Sequence, residues 1–289
     1  MNSMRDIKQR ISNVSSVEQI IKAMDMVAST KLVKIRAQLE GTRPICREIK
    51  RVVQELAVQE EVKNNIFYEQ RKVKNSLYIV LTGNSGLSGS YNSNVLSQAL
   101  KHMNQDKNEK ILVVGYKGNE YFKKKNKNII RTITDMADAQ VYYGTENIAK
   151  WLLDFYLSGE VEEVFIAYTR FETVLNSVPI VEKLLPIDSE NIEGKYAYDK
   201  KYEPNIEEFI DNIIPLYLHM NLFRVFSESH TSEQAARMVN MDAAGKNASE
   251  IVEDLTRMYN RKRQANITQE LSEIVGGANI LSKGGLNGS

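Results

Sequence analysis

A glycine-rich loop is the part of this sequence that comes closest to a recognisable chemical site. It runs from Gly83 to Ser90 as G-N-S-G-L-S-G-S, between a strand-like apolar run and a helical stretch, where phosphate-binding loops lie in many proteins. Its spacing matches neither the dinucleotide and ATP-binding patterns nor the nucleophile elbow of hydrolases. We therefore favour a structural turn built on Gly83, Gly86 and Gly89, with a ligand-binding loop as the alternative.

The residues that usually hold metals or perform catalysis show no such pattern. His102, His219 and His230 are the only histidines, and no H-x-x-x-H or C-x-x-C pair occurs. Structural and catalytic zinc sites need ligands of this kind at close spacing. We predict no catalytic residues, no metal and no cofactor. Cys46 is the only cysteine, so an internal disulfide is excluded and a reducing compartment fits.

Charge and hydropathy restrict the partners. The 289 residues carry a formal net charge of +1, so no overall field demands a nucleic acid. Residues 1–54 alone have a net charge of +6, which fits either a solvated helix face or a surface that docks an acidic partner. No window approaches the roughly 20 apolar residues of a membrane span. We therefore expect membrane contact only through other subunits.

The middle of the chain has the pattern of an α/β domain. Short apolar segments such as SLYIVLTG, KILVVGY, NIIRTIT and EEVFIAYTRFE alternate with helical stretches between residues 76 and 186. This alternation predicts a mostly parallel, Rossmann-like sheet with helices packed on it. Residues 187–204 are expected to form a surface connection.

The two ends, residues 1–58 and 205–283, have the pattern of long coiled-coil helices. In the first segment the apolar positions are Ile7, Val14, Ile21, Ala28 and Ile35, accompanied by Met4, Ile11, Leu32 and Leu39. In the second they are Met241, Ala248 and Leu255, then Ala244, Ile251, Met258 and Ala265, continued by Ile267, Ile274 and Leu281. A seven-residue period gives a left-handed supercoil. We predict that the two helices pair antiparallel around the inserted α/β domain and that Gly276, Gly277 and the tail GGLNGS end the second helix.

Three stretches carry a family resemblance. They are IIKAMDMVASTKL from Ile20, SEQAARM from Ser232, and YNRKRQANITQELSEIVGGA from Tyr259 to Ala278. They resemble the signature stretches of the F-type ATP synthase gamma subunits, and the last is very specific. The resemblance runs from about residue 3 to 281 and is weakest in the middle. The glycine loop departs from the family pattern S-D-R-G-L-C-G-G-[YF]-N, because its acid–base pair is missing and Ser88 replaces the cysteine.

The resemblance implies a rotor. In that family the paired terminal helices thread a ring of alternating alpha and beta subunits, while the α/β domain lies outside, against the epsilon subunit and the membrane c-ring. Ion flow turns the c-ring, and the asymmetric shaft drives the catalytic sites of the ring through different states. The subunit itself performs no catalysis. In bacteria the complex would lie peripherally on the cytoplasmic face of the plasma membrane.

The resemblance also implies coupling residues. Arg237, Gln264 and Thr268 match family positions that meet acidic loops of the beta subunits. Met24 matches a position that passes the collar of the ring close to Glu270. Two other classes of function remain open from the residues alone: an α/β enzyme with helical appendages, and a general coiled-coil scaffold.

Overall fold

The computed structural model describes residues 3–103, 108–134, 136, 140–188, 202–203 and 205–284. In chain order the elements are α1 (Met4–Leu56), a short 3-10 helix (Glu60–Val62), β1 (Asn75–Leu81), α2 (Tyr91–His102), β2 (Asn108–Val114), α3 (Tyr116–Lys124), β3 (Ile129–Ile133), α4 (Val141–Leu157), β4 (Glu163–Phe171), β5 (Ser177–Leu185) and α5 (Ile206–Gly284).

The five strands form one sheet in the order β3-β2-β1-β4-β5. The first four strands are parallel to one another, and β5 runs antiparallel to β4 at the edge. The chain therefore crosses from β1 to β2 and β3 on one side, and then returns to place β4 on the other side of β1. This is the doubly wound arrangement of Rossmann-like folds.

Helices cover both faces of the sheet because its central strands are apolar on both sides. Side chains of β1 alternate: Leu77, Ile79 and Leu81 belong to the core shared with α4 and with parts of α1 and α5. Tyr78 and Val80 belong to the core shared with α2 and α3. A strand that is buried on both faces reads as a continuous apolar run. The predicted fold class, a mostly parallel α/β domain inserted between long terminal helices, is confirmed.

The described chain divides into two compact units. One consists of Met1–Met26 with Met241–Ser289, and the other is Val27–Asn240. Within the first unit α1 and α5 run antiparallel, since Met4 contacts Asn266 while Glu18 contacts Ser249. Within the second unit the order is the same, with Arg43 bonded to Glu228 and Cys46 to the carbonyl of Met220.

The seam on α1 follows the predicted heptads. Ile7, Ala28, Leu32, Ile35 and Leu39 are buried. Glu18 occupies a seam position as well, and its carboxylate accepts a hydrogen bond from the Ser249 hydroxyl at 2.7 Å. A polar pair in an otherwise apolar seam favours one register of the helices over others.

The seam on α5 corrects one predicted track. Met241 and Ala248 are buried and Leu255 is half-buried, but Ile251 and Met258 are about half exposed. Their neighbours Val252 and Tyr259 are half-buried instead. In each case two apolar residues are adjacent in the sequence, Ile251 with Val252 and Met258 with Tyr259. Heptad spacing alone does not show which residue of each pair faces the seam.

The far end of α5 also differs from the prediction. The helix continues through Gly276 and Gly277, where its end was predicted to begin, and reaches Gly284, the first residue of the tail GGLNGS. Ala265, Ile267 and Ile274 are exposed and do not continue the seam; the side chain of Leu281 lies outside the described ones. Most of the predicted connection at 187–204 also lies outside the described residues, and the segment boundaries at 1–58, 76–186, 187–204 and 205–283 stay a prediction.

Within the described residues, no helix contains a stretch that is long and apolar enough to cross a bilayer.

Candidate functional site

The glycine loop packs directly against α5. A Cβ atom on Gly83 would lie 2.6 Å from a carboxylate oxygen of Glu233, and one on Gly89 would lie 2.6 Å from the amide nitrogen of Asn240. Gly89 also has a φ of +57°, a conformation that glycine adopts at little cost. Gly86 has open space around it, so nothing in the structure requires a glycine there.

Arg237 ties α5 to the same loop. It is 9% exposed, and its guanidinium donates to Gln234 at 3.0 Å, to Glu233 at 2.5 Å and to the hydroxyl of Ser85 at 3.0 Å. A second link joins the Tyr91 hydroxyl to that of Ser229 at 2.7 Å. These bonds make the loop a structural junction between the sheet and α5.

The amino end of α3, the helix that follows β2, does not form a phosphate cradle. Its first amides donate inside the protein: Tyr116 to the Asn84 side chain, Lys117 to the carbonyl of Gly83, and Gly118 to the Thr82 hydroxyl. A helix amino end binds anions through amides that lack such partners. Among the described residues there is also no group of His, Cys, Asp and Glu side chains arranged to hold a metal.

A partly buried ionic network joins α1, β5 and α5 within the second unit. Glu182 accepts hydrogen bonds from Lys50 at 2.5 Å, Arg224 at 3.1 Å and the Tyr168 hydroxyl at 3.1 Å. Burial acts to raise the pKa of Glu182, but Arg224 and Lys50 outweigh burial and lower that pKa to about 2. The carboxylate therefore stays charged and holds the two helices to the edge strand.

Cys46 lies at this network, and its thiol donates to the carbonyl of Met220. Burial raises the pKa of the thiol to about 11. Since the thiolate is the reactive form, this cysteine is unreactive at neutral pH.

The expected coupling residues fall in both units. Arg237 belongs to the second unit, while Met24, Gln264, Thr268 and Glu270 belong to the first. Gln264, Thr268 and Glu270 are exposed on α5, and the Thr268 hydroxyl bonds back to the carbonyl of Gln264 at 2.9 Å. Met24 is half-buried, beside the seam residue Asp25.

The resemblance implied that Met24 lies close to Glu270. The structure does not bring these two residues together. Ile21, one turn before Met24, faces Gly245, whereas Met4 faces Asn266. Glu270 lies 25 residues beyond Gly245, roughly 37 Å along the helix at about 1.5 Å per residue. Any relation between the two residues must therefore be indirect.

The end of α5 presents an apolar stripe that lies beyond the start of α1, so that no helix of the described residues in this unit runs beside it. Ile267, Leu271, Ile274 and Val275 are between 48% and 67% exposed. They lie beyond Asn266, the residue that contacts Met4 at the first turn of α1. Apolar side chains grouped on one exposed face mark a surface that another protein covers.

Several of these contacts could not be found in the sequence. Lys50 and Glu182 are 132 residues apart, and Ser85 and Arg237 are 152 apart, so that no local spacing announces them. Glu233 and Arg237 are four apart, a spacing that does indicate a pair on one helix. It does not indicate that both side chains reach the glycine loop.

Comparison with known proteins gives one consistent result. Residues 3–281 match the family described as ATP synthase. The ATP synthase gamma chain of Clostridium kluyveri is 38% identical over 95% of this chain and 97% of its own length. The sodium ion specific gamma chain of Acetobacterium woodii is 34% identical over 97% of this chain and 99% of its own.

Solved structures agree at the level of the fold. A chain from the Euglena gracilis mitochondrial ATP synthase, in a structure of OSCP, F1 and the c-ring, has a TM-score of 0.69 at 19% identity, and the match covers 99% of this chain and 97% of that one. A second, from the rotor of the same enzyme, has a TM-score of 0.64 at 20% identity and covers 91% and 98%. With a 38% identical relative matched nearly end to end, the chain belongs to the ATP synthase gamma chain family.

Proposed function

We propose that this chain is the central rotor shaft of a rotary F-type ATP synthase and that it performs no catalysis itself. The observation that carries the proposal is the exposed apolar end of α5, formed by Ile267, Leu271, Ile274 and Val275. A helix end of this kind suits a partner that surrounds it. End-to-end similarity to gamma chains supports the same partner, a ring of alpha and beta subunits.

The shaft acts as a ligand that distinguishes otherwise equivalent states. A ligand shifts a conformational equilibrium only by as much as its affinities for the states differ. A shaft inside a ring of identical catalytic subunits must therefore contact them unequally, and turning it moves the unequal contacts from one subunit to the next. By linkage, nucleotide bound at a catalytic site biases the position of the shaft in return.

The α/β domain is the part that we assign to the epsilon subunit and the c-ring. Rotation of the c-ring, driven by ion flow, would enter the shaft there, and ATP hydrolysis would turn it in reverse. In a bacterium the assembly would lie on the cytoplasmic face of the plasma membrane, with contact between this chain and the membrane only through the c-ring.

Coupling to the beta subunits is assigned to Met24, Arg237, Gln264, Thr268 and Glu270. Three of these are exposed on α5 and meet a partner without rearrangement. Arg237 already holds three acceptors, but a guanidinium has five N–H donors. It can therefore take a further carboxylate while it keeps the loop in place, and such charge-assisted bonds are among the strong ones.

The test removes the assigned contacts and follows assembly and coupling together. The double variant Arg237→Ala/Gln264→Ala would be assembled with the alpha, beta, epsilon and c subunits of the same organism in lipid vesicles. We expect ATP-driven ion pumping to fall more than ATP hydrolysis does. The variant Thr256→Ala, also exposed on α5, is the matched control. Unchanged assembly and pumping in the double variant would remove these residues from the coupling site.

A further inference from the structure

A small cavity lies outside the carboxyl ends of β1 and β4 in the second unit. Its volume is about 200 Å³, and its walls come from the glycine loop, the first turn of α2, the end of β4, the start of β5 and one face of α5. From β1 the chain continues to β2 and β3 on one side, whereas β4 lies on the other side of β1. The direction of the strand order therefore changes between the neighbouring strands β1 and β4. In doubly wound folds, ligands bind at this switch point, outside the carboxyl ends of the strands.

Two residues that line the cavity have a buried side-chain hydroxyl without a hydrogen-bond partner among the described residues. These hydroxyls are Oγ of Ser88, after β1, and Oγ1 of Thr169, on β4. Ser88 is 1% exposed and Thr169 4%. The large majority of buried polar side-chain atoms are paired, so two unpaired hydroxyls in one cavity indicate an occupant. Each hydroxyl has a proton to donate as well as lone pairs that accept, so that an occupant with acceptor oxygens would satisfy both donors.

The electrostatic setting of the cavity favours a negative charge. The amino end of α2 is part of the wall, through Ser90, Tyr91 and Asn94, and the amino end of a helix carries a partial positive charge. The Ser90 side chain does not cap this helix. Among the described residues that line the cavity, none is Asp or Glu; the carboxylate of Glu233 acts on the lining residue Tyr91 from outside the wall and is opposed there by Arg237. The remaining polar lining consists of neutral hydroxyl and amide groups.

We propose that this cavity binds a small tetrahedral oxyanion, inorganic phosphate. Ser88 and Thr169 donate hydrogen bonds to its oxygens, and the amino end of α2 stabilises its charge. The volume of about 200 Å³ lies below the range of about 300–1,000 Å³ that holds drug-sized ligands, which fits a small ion better than a whole nucleotide. The site is separate from the amino end of α3, whose first amides donate within the protein. At α2 the Tyr91 amide also donates within the protein, to the carbonyl of Ser88, so that this helix would act through the partial charge of its amino end. It also gives the departure at Ser88 a role that a thiol, a weak donor, would fill poorly.

The experiment measures phosphate binding to the purified full chain by titration calorimetry, at constant ionic strength with chloride as the compensating salt so that screening does not change. We expect the double variant Ser88→Ala/Thr169→Val to bind phosphate at least roughly tenfold more weakly, because it loses two hydrogen bonds to a charged acceptor. Ser158→Ala is the matched control, since that exposed hydroxyl bonds to the carbonyl of Phe155 at the end of α4. A parallel titration with ADP separates free phosphate from the phosphoryl group of a nucleotide.

Two further measurements keep the proposal open to contradiction. Without phosphate, the double variant should be as stable as the parent chain or more stable, since it removes unpaired buried hydroxyls; a purely structural role for these groups predicts a loss. In the parent chain, phosphate should slow amide hydrogen exchange in residues 88–94. The proposal is overturned if the parent chain fails to bind phosphate, if ADP binds there as tightly, if the double variant binds as the parent does, or if protection appears elsewhere only.

Discussion

Glycines at the strand-to-helix turns differ in what a side chain would meet, and the difference predicts their tolerance to substitution. Gly115, between β2 and α3, has a φ of +95°, and a Cβ there would lie 2.1 Å from the carbonyl oxygen of Thr82. The clash is with backbone, which cannot move aside as a long side chain can. We expect Gly115→Ala to lower the free energy of unfolding by about 2–4 kcal/mol, measured by urea denaturation.

Gly86→Ala is the matched control, because open space surrounds Gly86. We expect its effect to stay within about 0.5 kcal/mol, as for other unconstrained surface positions. Equal losses in the two variants would show that the turn geometry, and not the contact with Thr82, sets the cost.

The partly buried carboxylate of Glu182 should make the stability of the folded chain depend on pH. Its pKa is lowered to about 2 in the folded chain, whereas an unfolded glutamate has a pKa of about 4.3. A depressed pKa contributes stability that is present above about pH 4.3 and is lost as the pH falls toward 2. We expect Glu182→Gln to cost on the order of 2–3 kcal/mol at pH 7 and to flatten the fall in stability between pH 5 and pH 3.

Glu120→Gln is the control for this experiment. Glu120 pairs with Lys117 at 3.6 Å on the surface, where both side chains are 40% exposed, and such pairs contribute at most about 1 kcal/mol. The measurement is urea unfolding of each variant at several pH values. If both variants gave the same pH profile, the network around Glu182 would not be the source of the acid sensitivity.

The sequence predicted the glycine loop of this site but not the ionic network. The glycine cluster and its failure to match phosphate-binding patterns could be read directly, and the packing of Gly83 and Gly89 against α5 agrees with a structural turn. The ionic network could not be read, because Lys50, Glu182 and Arg224 lie on three separate elements. Long-range pairs of this kind depend on the fold and have no local sequence signal.

At the scale of elements, the seam of the paired helices predicts opposite results for two neighbouring positions. Ala248 is 6% exposed and lies in the seam, while Ile251 is 49% exposed. We expect Ala248→Glu to lower the thermal stability of the chain, because it buries a charge without a partner. We expect Ile251→Glu to leave that stability unchanged and to weaken assembly with the alpha and beta subunits.

The measurement combines thermal unfolding of the full chain with co-purification of the assembled complex. If Ile251→Glu unfolded the chain as strongly as Ala248→Glu did, the originally predicted track through Ala244, Ile251 and Met258 would be the seam, and the register found in the structure would be wrong.

Heptad spacing was sufficient to predict two long antiparallel helices, but not every side chain of their seam. On α1 the spacing identified Ile7, which stands between Asp6 and Lys8, and it also identified Ala28 and Leu32, although Val27 and Val33 stand next to them. On α5 it misassigned Ile251 and Met258, since Val252 and Tyr259 stand next to them. It also placed the start of the helix end at Gly276 and Gly277, whereas the helix runs on to the first tail glycine, Gly284, because glycine raises the cost of a helix by only about 1 kcal/mol per residue.

At the scale of the whole molecule, sequence patterns gave the fold class while the function came from resemblance. Alternating strands and helices in the middle of the chain predict a mostly parallel sheet, and four of the five strands are parallel while β5 is antiparallel at the edge. The periodicity and the charge of the sequence do not identify a ring of alpha and beta subunits as the partner. That step rested on the stretches near Ile20, Ser232 and Tyr259, and on relatives matched almost end to end.

The most direct test of the proposed function is to observe whether the chain rotates. A probe would be attached through Lys124→Cys, at the exposed end of α3, in a surface-fixed complex with the alpha and beta subunits. Cys46 would not compete for the label at neutral pH, because burial raises the pKa of its thiol to about 11. If the chain is the rotor shaft, we expect the probe to rotate stepwise in one direction while ATP is hydrolysed. ATP hydrolysis by the intact complex with the probe stationary would contradict the proposed function.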